Sequence, residues 1–337
     1  MTTPSAEPAL RVLRREDVLA AAADVDPVAT VRATLLAHAR GATTLPDEAY
    51  LPWHTASGAF ARSLALPGAV WGDRPAVGLK VINSSLDNPG RGLPRAQGWT
   101  FLFDPDTARP VAMLEAAWIS ATRTAAYTVL SARLLAAPGL DRIAVLGCGA
   151  LAASHLDLLG AEYPDASVVL HDLDPARARA LAALRRADVA DDPRTAVDGA
   201  GLVVCTTTTT TGYLALDWLA PGALVAHVSL DDVLPEVVAG TDLVVVDDWD
   251  LVAADDRRLL GRMLREGTLA APGERRPGAR TVDATMAEVV AGTHPGRARD
   301  TDVVLSNPFG MGVLDVALAA DVHDAALARD LGTVIDP

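Results

Sequence analysis

A chain of 337 residues, half of them hydrophobic, is long enough for two domains and a large core. Its net charge of −14 argues against nucleic acid and anionic membrane surfaces as partners. No apolar run reaches the roughly 18 residues that a bilayer span needs. The opening stretch MTTPSAEPALRVLRRED lacks the apolar segment of a secretory leader, and Cys148 and Cys205 form no disulfide framework. A cytoplasmic protein with two small buried thiols is expected, and alternating strand-like and helix-like segments place it in the α/β class.

In chain order, residues 10–13 read as a short strand. A helix follows with Val28, Val31, Leu35 and Leu36 on one face, broken at Pro46-Asp47-Glu48. Strands are predicted at 61–70 and 75–82, joined by a turn at Trp71-Gly72-Asp73, and again at 99–103. Residues 111–135 pattern as one long helix halted near Pro138-Gly139. These elements make an α+β unit of residues 1–137, and the helical tail at 311–331 is expected to return to it. That gives a discontinuous domain, 1–137 with 309–337, for substrate binding and dimerisation, around a Rossmann-type domain at 138–308.

The Rossmann assignment rests on residues 142–174. An apolar run ends in Gly147-Cys148-Gly149, a helix pattern begins at once, and a second apolar run closes on His171-Asp172. This is the strand, glycine turn, helix, strand and acid of a dinucleotide-binding unit. Gly147 supplies the turn, Gly149 lets the backbone approach a pyrophosphate, and Ala152 stands where a third glycine often stands. The helix N-terminus, with Ala150 and Leu151, offers free N–H groups to the phosphates. Asp172, 25 residues past Gly147, suits the ribose hydroxyls and repels a 2′-phosphate, so the expected cofactor is NAD. Strands at 201–205, 223–229 and 243–247 continue the fold. A helix is expected at 250–266, a loop at 268–280 and a last apolar run at 303–305. The six threonines 206–211 follow a strand; Thr206 and Thr207, with Ser229, either line the nicotinamide side or form a solvated turn.

Of 29 basic residues, 28 are arginine and Lys80 is the single lysine. A chain that uses arginine for every other cation has kept lysine where a compact ammonium is needed. Lys80 and Asn83 lie in residues 78–95, a polar, turn-rich stretch that reads as a substrate loop. Arg123 interrupts an apolar helix and demands a partner, either a buried carboxylate or a ligand carboxylate. Asp231 and Asp232 follow the strand at 223–229, at the end where α/β sheets bind ligands, and Asp315 stands among apolar neighbours. Any of the three acids can serve as general base or as a plain cap. His171 and His227 stand at strand ends with a lesser claim to catalysis. No zinc spacing and no nucleophile elbow occur in the sequence.

These motifs resemble the ornithine cyclodeaminase/μ-crystallin family over about residues 10–331. The carriers are Gly78-Leu79-Lys80, Arg123-Thr124-Ala125-Ala126, Gly147-Cys148-Gly149 and Pro295-Gly296-Arg297. Residues 86–96, 227–232 and 307–319 are most similar to the branch of N-(2-amino-2-carboxyethyl)-L-glutamate dehydrogenases, which make 2,3-diaminopropionate. The resemblance implies an NAD-dependent homodimer. In it Lys80 and Arg123 grip a substrate carboxylate and face the nicotinamide across an interdomain cleft. Asp315 lies near the reacting amine, and Asp231 or Asp232 occupies the segment of a catalytic aspartate. Two departures remove cations from substrate positions: Tyr50-Leu51 is followed by Pro52-Trp53-His54 where the branch commonly has arginine, and Asp231 stands where the branch often has arginine. They suggest a substrate with fewer carboxylates or an extra amine, unless Arg62 or His54 fills the gap. Ornithine cyclodeamination, ketimine reduction, alanine dehydrogenation and a non-enzymatic nucleotide-dependent binding protein of the μ-crystallin type remain the alternatives.

Overall fold

The computed structural model describes residues 10–229 and 231–335. The first nine residues of the stretch read for a leader, Leu230 of the 227–232 motif and the last two residues of the tail lie outside the described residues. The chain forms two compact units, Met1–Arg123 with Met311–Pro337, and Thr124–Gly310. Among the described residues no helix is long and apolar enough to cross a membrane.

In the first unit β1 (Leu10–Leu13) leads into α1 (Arg15–Ala22) and α2 (Pro27–Ala39), two helices where the pattern predicted one. The break comes from Asp26, whose carboxylate accepts the N–H groups of Val28 and Ala29 and starts α2 afresh, with Pro27 at its first position. Six strands follow: β2 (Thr43–Thr44), β3 (Ala49–His54), β4 (Phe60–Val70), β5 (Ala76–Ser85), β6 (Ala96–Phe103) and β7 (Pro110–Glu115).

Three of these depart from the sequence pattern. Strand β3 is largely exposed and carries Pro52, so it shows no alternation of buried and polar residues. Strand β5 runs on to Ser85, so Lys80 sits inside a ladder paired on both sides, not in a loop. Residues 110–115 are strand rather than helix, because β7 pairs with β6 and β1. Tertiary pairing there overrides a helix-like composition.

Helix α3 (Ala116–Leu135) then carries the chain into the second unit. Every residue from 122 to 132 is buried, so α3 shows no single apolar face. The units part after Arg123 rather than at residue 137, because the later turns of α3 bond within the second unit. Ser131 meets Ser306 at 3.2 Å, and the Leu135 carbonyl accepts from Arg297.

The second unit continues with β8 (Arg142–Leu146), α4 (Ala150–Glu162), β9 (Ser167–His171), α5 (Pro175–Arg185), β10 (Asp188–Val189), α6 (Pro193–Val197) and β11 (Leu202–Cys205). It goes on through β12 (Leu224–His227), α7 (Pro235–Gly240), β13 (Leu243–Val246), α8 (Trp249–Ala254) and α9 (Leu259–Arg265). It ends with β14 (Leu269–Ala270), β15 (Arg280–Thr281), β16 (Ala284–Thr285), α10 (Met286–Ala291) and β17 (Val304–Asn307). The single helix predicted at 250–266 is two, separated where Asp255 turns extended and meets Arg257 and Arg258. The loop predicted at 268–280 is closed by the small parallel pair β14–β15.

The main sheet of this unit is wholly parallel, in the order β10-β9-β8-β11-β12-β17-β13-β16. Strand order reverses between β8 and β11, which creates a switch point at their carboxyl ends. The central strands are buried along their whole length, as a sheet covered on both faces requires.

The chain returns to the first unit as α11 (Gly312–Ala328) and β18 (Thr333–Ile335), which completes the sheet β18-β1-β7-β6-β5-β4-β2 with β3 also on β4. Helix α11 packs on this sheet over a pair of opposed glycines, Gly68 and Gly78. A Cβ on Gly68 would lie 2.8 Å from a Val313 methyl group, and one on Gly78 3.2 Å from a Val316 methyl group. The missing side chains let the first turns of α11 settle close to β4 and β5. That approach brings Asp315 onto the next row of the sheet, where Lys80 stands.

Candidate active site

In the first unit three charged side chains meet in near-complete burial. Lys80 is 2 % exposed, Arg123 8 % and Asp315 not at all. Lys80 Nζ lies 2.8 Å from Asp315 Oδ2, and Arg123 Nε 3.2 Å from Asp315 Oδ1. Neither contact has hydrogen-bond angles, and both carboxylate oxygens are left without a hydrogen bond. Their attraction is Coulombic rather than directional. Lys80 also donates to the Ser120 hydroxyl at 3.2 Å, one helical turn before Arg123 on α3. Burial pulls the Lys80 pKa down and Arg123 adds to this, while Asp315 and Glu48 oppose it; the outcome is about 8. The two open options for Arg123 thus include a real buried carboxylate. Its terminal nitrogens make no hydrogen bond with a described residue.

The other residues expected around Lys80 divide. Arg62 lies on β4 opposite Ser84, on the same sheet face as Lys80. Asn83 is exposed and three positions from Lys80, so the strand alternation sends it to the opposite face. His54 sits on the exposed strand β3 against Phe60.

In the second unit the glycine turn is tightly constrained. Gly147 has φ +88°, and a Cβ there would stand 2.9–3.0 Å from the Thr206–Thr207 backbone, so only glycine fits. Gly149 is the N-cap of the 13-residue α4, and a Cβ on it would meet nothing within 4 Å. Ala152 is fully buried beneath the turn. Asp172 fastens the turn, accepting the Cys148 N–H at 2.7 Å and the Asp174 N–H at 2.8 Å. Thr206 closes the switch point by donating to the Gly147 carbonyl at 2.8 Å, so its hydroxyl serves the backbone. The residues present fit a dinucleotide: a free helix N-terminus, an open approach at Gly149 and a carboxylate at the end of β9.

Asp231 and Asp232, also in this unit, are both engaged. Asp231 is ion-paired with Arg262 on α9. Asp232 accepts from Thr207 at 2.7 Å, from the Tyr213 hydroxyl at 3.1 Å and from Ser229. Burial pushes its pKa up, but His227 and these hydroxyls outweigh that and hold it below the usual carboxylate range. His227 accepts the Asp232 N–H through Nε2 and faces Asn307 at 2.6 Å through Nδ1. His171 faces the Ala190 carbonyl, and both thiols are buried, Cys148 pushed up to about 12 by burial.

A family model described as the ornithine cyclodeaminase/mu-crystallin family matches residues 11–330. The chain belongs to this family. It is 30% identical over 312 residues to N-((2S)-2-amino-2-carboxyethyl)-L-glutamate dehydrogenase of Staphylococcus aureus, covering 90% of each chain. It is 24% identical to the alanine dehydrogenase of Archaeoglobus fulgidus over 96% of this chain and 97% of that one. Among solved structures, that of CmnK superposes with a TM-score of 0.91 at 44% identity, covering 98% of this chain and 99% of that one.

Two residues around these clusters, Ser120 and Asp247, were not singled out from sequence. Ser120 carried a usable signal, since it lies three residues before Arg123 on one helix. Asp247 carried none: it is wholly buried and accepts the N–H groups of Phe309 and Gly310, fixing the turn that leads to α11. Arg297 of the Pro295-Gly296-Arg297 motif is a clamp, donating to the carbonyls of Leu135, Gly222 and Asp302.

Proposed function

We propose that the protein is an NAD-dependent dehydrogenase that oxidises the amine-bearing carbon of an N-substituted amino acid. The reading takes N-(2-amino-2-carboxyethyl)-L-glutamate as substrate and 2-oxoglutarate and 2,3-diaminopropionate as products. It is supported by the name of the Staphylococcus aureus relative and by the 2,3-diaminopropionate branch motifs. The observation that carries it is the buried Lys80 with a pKa lowered to about 8 beside Arg123 and Asp315.

Arg123 holds the substrate carboxylate through its terminal nitrogens. Lys80 takes one proton from the substrate ammonium, leaving the nitrogen lone pair free to form C=N. When bound, NAD would supply the acceptor for the hydride of the same carbon. Water then adds to the imine carbon, both its protons pass to nitrogen and the C–N bond breaks. The proton taken by Lys80 is released to solvent. Asp315 has no exposed atom and acts by positioning the two cations. Asp231 and Asp232, each engaged, organise their own segment. Gly147, Gly149 and the first turn of α4 would hold the pyrophosphate, and Asp172 would favour NAD over its 2′-phosphorylated form. The enzyme works as a homodimer through the first unit, where β3 exposes Leu51 and Trp53 at a sheet edge.

The test is incubation with NAD and a panel of N-substituted amino acids, following NADH absorbance and keto-acid release. One NADH per 2-oxoglutarate is expected. Conversion of ornithine to proline without net NADH, or dinucleotide binding with no turnover of any substrate, rejects the reading.

A further inference from the structure

Across the sheet of the first unit, the row that holds Lys80 reads Leu66, Lys80, Thr100 and Leu114 on β4, β5, β6 and β7. Directly opposed residues share a face and bring their Cβ atoms to about 5 Å. Thr100 therefore stands beside Lys80, on the face where Asp315 of α11 meets that lysine. It is wholly buried, with Leu114 on its far side, yet its hydroxyl makes no hydrogen bond with a described residue. A valine of nearly the same shape would fill that place without leaving a buried donor idle, which is costly.

Seven buried side-chain polar atoms among the described residues lack a hydrogen bond. Four of them are gathered here: Thr100 Oγ1, Arg123 Nε and both oxygens of Asp315. Folded proteins leave few such atoms, so four at one point mark a place shaped for a small polar molecule. The surrounding charges choose the molecule. Lys80 and Arg123 repel a metal cation, and Asp315 repels a carboxylate. Both Asp315 oxygens call for a donor, while the Lys80 ammonium has protons to spare beyond the one given to Ser120. A small neutral molecule that both donates and accepts meets these demands. Water does so, with Thr100, Asp315 and Lys80 as the three partners that a buried water commonly has.

We propose that Thr100, Asp315 and Lys80 hold the water that hydrolyses the imine, with Thr100 as its positioning residue. The inference rests on the oxidation proposed above. In that step Lys80 takes a proton from the substrate nitrogen, so the C=N bond forms next to Lys80 and hence next to the water. The water oxygen bonds to the imine carbon as Asp315 takes one of its protons and passes it on to nitrogen. The second proton moves from the new hydroxyl to nitrogen as the C–N bond breaks, and the ketone and the ammonium leave. Through this water Asp315 enters the chemistry although none of its atoms is exposed.

The experiment follows NADH and 2-oxoglutarate separately through the first turnovers of N-(2-amino-2-carboxyethyl)-L-glutamate, in the wild type, Thr100→Val and Thr100→Ser. Thr100→Val should still form about one NADH per site at the wild-type rate, then release 2-oxoglutarate about tenfold more slowly. Thr100→Ser, which keeps the hydroxyl, should recover most of that loss. Equal slowing of NADH and 2-oxoglutarate in Thr100→Val, or no slowing of either, overturns the proposal. Crystal structures of the wild type and Thr100→Val test the water apart from turnover. An ordered water within hydrogen-bond distance of Thr100 Oγ1 and Asp315, lost in Thr100→Val, supports it even if no N-substituted amino acid is oxidised, a result that would reject only the oxidation. A wild-type crystal without that water overturns the proposal, and it decides the matter even where Thr100→Val does not fold.

Discussion

In the proposed reaction the chemistry turns on Lys80, and burial pulls its pKa down. A lysine lowered from 10.5 to about 8 is protonated below that value and neutral above it. Proton removal needs the neutral form, so kcat/KM should climb tenfold per pH unit up to about pH 8 and then level. A flat profile across that window would show that Lys80 is not the base. Lys80→Arg keeps the positive charge but cannot lose it, so turnover should vanish while NADH fluorescence still reports dinucleotide binding. Asp315→Asn removes the anion that stabilises the Lys80 ammonium, so the apparent pKa in any residual activity should drop below 8. The same change leaves two buried cations facing each other. Urea denaturation should register a loss of about 3–5 kcal/mol, and a loss near zero would mean the triad is not held by charge.

At the scale of elements, function depends on how closely helices approach sheets. Gly68→Val puts a branched side chain where Val313 already sits, so α11 must lift from β4 and carry Asp315 with it. The expected result is a destabilisation of about 1–3 kcal/mol with a fall in kcat, read by thermal melting and initial rates. In the second unit α3 and α4 are joined by His155, which meets the Thr128 hydroxyl at 3.0 Å and the Leu151 carbonyl at 2.7 Å. Burial lowers its pKa to about 4 from 6.5. The folded state thus binds fewer protons than the unfolded one between these values. Stability is present in full above pH 6.5 and is lost as pH falls toward 4, by roughly 3 kcal/mol. His155→Gln should remove most of that acid sensitivity; an unchanged slope of unfolding free energy against pH would contradict the assignment.

For the whole molecule, the exposed edge at β3 predicts a dimer that a charge can break. Leu51→Asp with Trp53→Asp should turn the sedimenting species from dimer to monomer, whereas a wild-type monomer at micromolar concentration would dismiss the dimer. Much of the architecture was legible in the chain. The glycine turn, the acid at Asp172 and the parallel strands are local patterns set by backbone geometry, so spacing alone exposed them. The sole lysine and the lone helical arginine stood out because burying a cation is expensive and needs a reason. Other features were hidden for equally physical reasons. Strand β5 looked like a loop because its polar residues are satisfied by neighbouring strands, and β7 looked like helix because ladder pairing, not propensity, decides it. Sequence by itself determined the dinucleotide fold and the identity of the charged residues, since both follow from short-range geometry and the cost of desolvation. Only tertiary structure decided their partners. Asp315 arrives at Lys80 and Arg123 from 192 positions beyond Arg123 in the chain, and close packing over two glycines, which no local pattern encodes, brings it there.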